Sequence, residues 1–147
     1  DRQVSWLPSY GPEMRGGTAN CSVTVSDSPI GSPIISHPDI LIAMNLPSLD
    51  KYEDSVKPGG QIYIDSTLIE RKVNRTDVSA FYIPATQMAS DSGLTTLANM
   101  IIMGKVLREG GAVSYEGLGD ALKKVVSAKH ADLYDANMKA IEMGYNF

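Results

Sequence analysis

From residue 18 to residue 26 the chain alternates, with Ala19, Cys21, Val23 and Val25 set against Thr18, Asn20, Ser22, Thr24 and Ser26. A period of two predicts a half-buried strand with the apolar set inward. That makes Cys21 a small core residue rather than a nucleophile. Ahead of it, Val4 to Leu7 reads as a short strand stopped by Pro8. Asp27-Ser28-Pro29 and Gly31-Ser32-Pro33 are turn chemistry, with Ile34-Ile35 a short strand between turns. Asp39 to Met44 is a continuous apolar run, the pattern of a strand covered on both faces. Pro47 to Val56 predicts a helix started near Pro47 or Ser48 and ended by Pro58-Gly59-Gly60. Gln61 to Asp65 and Phe81 to Ile83 are the next strands, the latter closed by Pro84. Strand, helix, strand at this spacing predicts an α/β fold with a mostly parallel or mixed sheet.

The C-terminal half reads as helical. Leu94, Leu97, Ala98, Ile101, Ile102 and Val106 form one wide stripe, and Met100, Met103 and Leu107 fill much of the other side. A helix apolar nearly all round is buried on several sides or lies against a partner. Gly110-Gly111 stop it, and Ser114 with Glu116 opens a further helix whose face is Leu118, Leu122, Val125 and Val126. Ala131 to Met143 is the last helix, with Leu133, Asn137, Ala140 and Ile141 on one face. Neither repeat nor linker interrupts this order, so one domain is expected over residues 1–147.

Composition removes several function classes. With 147 residues the chain is long enough for a core without staples. A net charge of −4 lacks the dense cationic face that nucleic-acid binding needs. One cysteine and two histidines support no disulfide, no all-cysteine cluster and no histidine-built zinc site within the chain. His37 and His130 have no Ser or Cys plus acid constellation beside them, which argues against a hydrolase triad. No apolar run approaches the ~20 residues that cross a bilayer. No signal peptide opens the sequence either, and a cytoplasmic location is expected.

The sharpest candidate chemistry lies in Tyr10, Gly11, Pro12, Glu13, Arg15, Gly16 and Gly17. Gly16-Gly17 frees the backbone for close approach, Arg15 adds a fixed positive charge, and successive N–H groups there can cradle a phosphate or carboxylate. Glu13 is placed to pair with Arg15 or with a partner's cation. The plainer reading is a loop whose Gly and Pro serve geometry alone. Asn99 in an apolar helix and Asn137 in an apolar stripe read first as structural or interface amides and second as ligand contacts. Thr86 and Gln87 follow a strand end, where α/β folds place ligands and where helices are also capped. Asp65, Glu70 and Asp77, interspersed with Arg71, Lys72 and Arg75, read as a solvated charged segment.

The string Trp6-Leu-Pro-Ser-Tyr10-Gly-Pro-Glu-Met-Arg15-Gly-Gly-Thr-Ala-Asn-Cys21 resembles the signature loop and strand of the γ subunits of 2-oxoacid:ferredoxin oxidoreductases. The resemblance continues through Pro33, Pro38-Asp39, Ala43-Met44-Asn45, Lys57-Pro58-Gly59-Gly60, Ile83-Pro84-Ala85-Thr86, Asn99-Met100, Asn137 and Gly144-Tyr145, essentially the whole chain. It implies a three-layer α/β/α domain that serves one larger enzyme. That enzyme converts a 2-oxoacid and coenzyme A to acyl-CoA and CO2, passing two electrons to ferredoxin. It further implies that thiamine diphosphate, Mg and 4Fe-4S clusters sit on partner α, β and δ subunits, with no cofactor bound by this chain alone. The 10–17 loop would then lie near coenzyme A or at a subunit contact, with Asn20, Asn45, Thr86 and Asn99 as secondary candidates. The wording Glu13 to Gly17 is closer to the 2-oxoglutarate or branched-chain members than to the pyruvate ones. The family's domain usually opens with a strand, a G-x-G-G-Q-G turn and a helix, whereas residues 1–147 start after such a unit. An N-terminally incomplete domain is therefore expected, because its absence leaves a strand unpaired. Two other readings are a stand-alone nucleotide-binding α/β protein and an assembly module that self-dimerises through the helix Leu94–Leu107.

Overall fold

The structure, a computed structural model, describes residues 2–9, 19–126 and 131–147. Strands β1 (Gln3–Ser9) and β2 (Asn20–Ser26) pair antiparallel into a two-stranded ribbon. A separate parallel sheet has the order β3 (Ile40–Ala43), β4 (Gln61–Asp65), β5 (Ser79–Ile83). The continuous apolar run of β4 follows from its central place, since Ile62, Tyr63 and Ile64 are fully buried between two layers. On one face Ile62 and Ile64 join Ala43, Leu49, Val56 and Ile69, under α1 (Leu46–Tyr52) and the 66–78 crossover. On the other, Tyr63 joins Ile83, Ala85, Ala89, Ile101, Ile102 and Ala140, under α2 (Ala85–Asp91), α3 (Ala98–Glu109) and α5 (Ala131–Asn146). The result is the expected α/β/α layering around a parallel sheet, with helices filling the C-terminal half. A short helix, α4 (Leu118–Val125), adds Leu122 to a third cluster with Leu107 and Ile141.

Several local expectations are corrected. The alternating face of β2 is turned outward: Cys21, Val23 and Val25 are exposed while Asn20, Ser22, Thr24 and Ser26 are half-buried. Cys21 is therefore not a core residue. Ile34-Ile35 forms no strand, because it finds no ladder partner. The Pro47–Val56 helix is instead α1 followed by a 3₁₀ turn at Glu53–Ser55, and Asn45, not Ser48, caps it by accepting from the Ser48 N–H at 2.9 Å. A helix that the pattern missed, α2, ends where Gly93 takes φ +71° and the N–H of Leu94 reaches the carbonyl of Ala89 at 2.8 Å. The apolar stripe starting at Leu94 thus spans a turn as well as α3. Ser114 and Glu116 do not open α4. Gly117, at φ +81°, precedes it, and Val125 is 82% exposed rather than on a buried face. Asn99 is exposed, so no buried amide needs satisfying there. Asn137 donates to the Leu133 carbonyl at 2.6 Å, and Leu133 itself is exposed.

The breadth of the apolar surface on α3 has an internal cause. Gly104 and Gly144 let α3 and α5 cross backbone to backbone. A Cβ on Gly104 would run into the Ile141 carbonyl and stand 2.7 Å from the Tyr145 nitrogen. A Cβ on Gly144 would fall on the Ile101 carbonyl oxygen, 2.7 Å from its carbon. Ile101, Ile102 and Leu107 are buried within the chain. Much of the surface that motivated self-dimerisation through Leu94–Leu107 is thus covered by the chain's own packing, with Leu94, Leu97, Met100, Met103 and Val106 left half-buried.

The charged 66–78 segment is a solvated face only in part: Glu70, Lys72 and Asp77 are exposed, whereas Arg71 and Arg75 are half-buried. Asp65, at its head, is fully buried, and Glu53 beneath it is nearly so. Glu53 accepts from Arg71 at 2.7 Å and from the Asn74 N–H at 2.5 Å, while Arg75 donates to the Val56 carbonyl at 2.5 Å and to Asp77 at 2.6 Å. Arg75 in turn holds Asp77 below the usual carboxylate range. A crossover without a helix is held down by charge-assisted hydrogen bonds instead.

Tyr63 shows what burial does to a polar tip in this core. Its hydroxyl donates to Gln61 at 2.9 Å, and its pKa is pushed up to about 12 by burial and, secondarily, by the negative charge of Glu109. The folded protein thus favours the neutral phenol. Its contribution is fully present below pH 10 and is lost as pH rises from 10 toward 12. Urea titrations across that window should show stability falling more steeply for the unsubstituted protein than for Tyr63→Phe. Equal slopes would contradict the assignment.

Candidate functional site

Three turns leave the carboxyl edge of the parallel sheet, where α/β folds bind ligands. Asn45 follows β3, Asp65 ends β4, and Pro84-Ala85-Thr86 follow β5. At the centre Asp65 accepts from three donors: the Thr67 N–H at 3.1 Å, the Thr86 N–H at 3.2 Å and the Thr86 hydroxyl at 2.5 Å. The Gln87 N–H then donates to the Thr67 hydroxyl at 3.1 Å. A buried carboxylate is tolerated here because the free N–H groups at the start of α2 point at it. This arrangement joins β4, the crossover and α2 into one unit. Among the described residues no histidine or cysteine bonds to it, and the Asp65 oxygens are taken up by these donors. It acts as a clamp rather than a general acid or base.

The sequence candidates separate accordingly. Thr86 lies at the carboxyl edge as expected, with its hydroxyl committed to Asp65. Asn45 shares that edge as a helix cap. Asn99 lies on the exposed side of α3, apart from both. Asn20, in the ribbon, donates to the Tyr52 hydroxyl at 2.9 Å and ties the start of β2 to α1. Tyr10, Gly11, Pro12, Glu13, Arg15, Gly16 and Gly17 lie outside the described residues, as does His130. His37 meets the Ser55 carbonyl at 3.2 Å. The residue that sequence reasoning missed is Asp65. An acid closing a wholly apolar strand and followed by Ser66-Thr67 was the available signal.

At the opposite, amino edge an open cleft is lined by Asp39, Ile40, Lys57, Gly60, Gln61 and Gly110. Its two charges neutralise each other, Lys57 reaching Asp39 at 2.8 Å. Among the described residues no group of three or more His, Cys, Asp or Glu is arranged to hold a metal ion. One exposed cysteine cannot supply the four thiolates of an iron–sulfur cluster. The donor set of this chain therefore does not fit a cluster. No described helix is long and apolar enough to cross a membrane.

Known proteins resemble the chain throughout its length. It is 37% identical over 144 residues to the ketoisovalerate oxidoreductase subunit VorA of Methanothermobacter thermautotrophicus, covering 97% of this chain and 30% of that one. The chain thus spans about a third of that relative's length. It is 34% identical over 147 residues to the 2-oxoglutarate synthase subunit KorC of Methanocaldococcus jannaschii, covering 99% of this chain and 77% of the other. The crystal structure of the keto/oxoacid ferredoxin oxidoreductase γ subunit from Geobacter sulfurreducens superimposes with a TM-score of 0.78 at 30% identity, over 99% of this chain and 79% of that one. The family model for pyruvate ferredoxin/flavodoxin oxidoreductase matches residues 1–147. With fold and sequence in agreement, the chain belongs to the pyruvate ferredoxin/flavodoxin oxidoreductase family.

Proposed function

We propose that the chain is the γ-type part of a 2-oxoacid:ferredoxin oxidoreductase acting on 2-oxoglutarate or a branched-chain 2-oxoacid. The observation that carries this reading is similarity to KorC along nearly the entire chain. The reaction consumes a 2-oxoacid and coenzyme A, forms the thioester bond of an acyl-CoA, and releases CO2, a proton and two electrons to ferredoxin. Thiamine diphosphate supplies the carbanion-stabilising centre of such chemistry. With Mg and the 4Fe-4S clusters it is assigned to the α, β and δ partners, in a cytoplasmic complex. The role left to this chain is binding and positioning.

Within it, Arg15 is assigned to the anionic part of coenzyme A, with Gly16 and Gly17 allowing close backbone approach and Glu13 as counter-ion. Tyr10, Gly11 and Pro12 shape the loop. Fixing of β2 by Asn20 and Tyr52 supports this, because it anchors the strand onto which the loop runs. The test is the purified complex assayed for 2-oxoacid-dependent ferredoxin reduction. Arg15→Ala should raise the KM for coenzyme A about tenfold or more, the worth of one charge-assisted contact. An unchanged KM with unchanged subunit composition would remove the role.

A further inference from the structure

Helix α4 has a slight hold on the rest of the molecule. The connection into it is framed by two glycines in left-handed backbone, Gly111 at φ +65° and Gly117 at φ +81°, and residues 112–116 between them are all exposed. Glycine at both points leaves the backbone free to turn. The helix starts at Gly117 without a side-chain cap. Of its eight residues Leu122 alone is buried, and Val125 is 82% exposed. A helix this short does not persist alone in water, so α4 owes its form to its seat on α3 and α5. That seat contains thioethers. Leu122 packs with Leu107 of α3 and Ile141 of α5, and Met103 and Met138 lie half-buried against the same cluster. Met100 touches it as well but is shared with the larger core around Tyr63, whereas Met103 and Met138 serve the α4 seat alone. A thioether suits such a place because it is apolar and adaptable. Its sulfoxide is polar and fits poorly against leucine and isoleucine.

We infer that α4 is a redox-sensitive latch: oxidation of Met103 and Met138 by hydrogen peroxide releases it from α3 and α5 while the parallel sheet stays folded. In this step the thioether sulfur takes one peroxide oxygen as the O–O bond breaks. The proton of that oxygen passes to the departing hydroxide, which leaves as water, and the sulfoxide remains. Sulfur gives up two electrons and the peroxide accepts them. Partial exposure gives the oxidant its access, and turning at Gly111 and Gly117 widens it, so each sulfoxide formed makes the closed position harder to regain. Release is local because the sheet does not lean on α4. Among the described residues the clusters on its two faces, around Tyr63 and around Ile64, contain no residue of α4. The α3–α5 pair is likewise closed on its own, by the crossing at Gly104 and Gly144.

The test uses the full chain, purified with whatever subunits accompany it and treated with hydrogen peroxide. It is carried out with Cys21→Ser, because that exposed thiol also reacts with peroxide. Mass spectrometry should find Met103 and Met138 oxidised about fivefold faster than Met88, which packs in the Tyr63 core instead. Hydrogen exchange at residues 118–126 should then quicken about tenfold, with β4 unchanged. Sulfoxide reductases for both epimers should restore the slow exchange. The double variant Met103→Leu/Met138→Leu keeps the apolar volume and cannot be oxidised there, so peroxide should leave its exchange at 118–126 unaltered. Met88→Leu should still respond as the parent does. Equal circular dichroism and urea midpoints establish that the variants fold. Peroxide that spares Met103 and Met138, or oxidises them without quickening exchange at 118–126, overturns the latch. So does equal quickening in β4, or a double variant that still opens.

Discussion

Gly144→Ala is expected to destabilise the protein by more than about 3 kcal/mol, beyond the usual range for one added methyl in a core. The reason is that the new Cβ meets backbone, not a side chain able to swing aside: it would fall on the Ile101 carbonyl, 2.7 Å from its carbon. Relief requires α5 to move off α3, and that separation uncovers Ile101, Ile102 and Ile141, each fully buried. Gly104→Ala meets the same crossing from the other side and should cost a similar amount. Because the two sites share one contact, the double substitution should cost less than the sum of the two. Urea denaturation measures this through the midpoint. A Gly144→Ala midpoint within 0.5 kcal/mol of the parent, taken as about the scatter for neutral surface changes, would show that the helices do not cross this closely.

Glu53→Ala should cost about 2–3 kcal/mol, the loss of hydrogen bonds to a nearly buried carboxylate with one backbone donor left unpaired. The carboxylate is 5% exposed and serves two donors, Arg71 and the Asn74 N–H. Removing it leaves the Asn74 N–H unpaired and leaves Arg71 with Asp50 and the Lys72 carbonyl, at a solvent-exposed position. The 66–78 crossover would loosen first, because it has no helix of its own and Ile69 is its buried apolar contact. Hydrogen exchange should therefore quicken at residues 70–76 before it does in β4. Glu53→Gln keeps an acceptor toward Asn74 and should recover part of the loss. A loss below about 1 kcal/mol for Glu53→Ala, typical of a solvated pair, would refute the buried-clamp description.

The two predictions also mark where the sequence was readable. The parallel sheet was legible because β3, β4 and β5 are apolar runs of strand length bounded by Pro and Gly, a pattern that two covered faces impose. The resemblance carried by residues 6–21 gave the family, and the match over residues 1–147 agrees with it. Periodicity misled wherever the environment was decided elsewhere. The alternation in β2 gives two faces but cannot say which one looks inward, and in an isolated ribbon the apolar one looks out. The stripe beginning at Leu94 merged a helix end with the next helix, because a Schellman turn at Gly93 packs a half-buried Leu94 against the core much as a helix would. Charged residues from Asp65 to Asp77 resembled a solvated loop because their partners, Glu53 and the donors of Thr86, are distant in sequence. For the same reason Thr86 was legible as a position past a strand end, and not as a partner of Asp65.

The crossing at Gly104 and Gly144 also sets the order in which the molecule is finished. The face of β4 and β5 that carries Tyr63 and Ile83 is complete only when Ala140 and Ile141 arrive with α5. A chain still on the ribosome presents that face covered by α2 and α3 alone, and synthesis at ~5–20 residues per second keeps it so for the seconds needed to add α4 and α5. Chaperone occupancy on nascent chains should therefore persist through residue 126 and fall once Gly144 emerges.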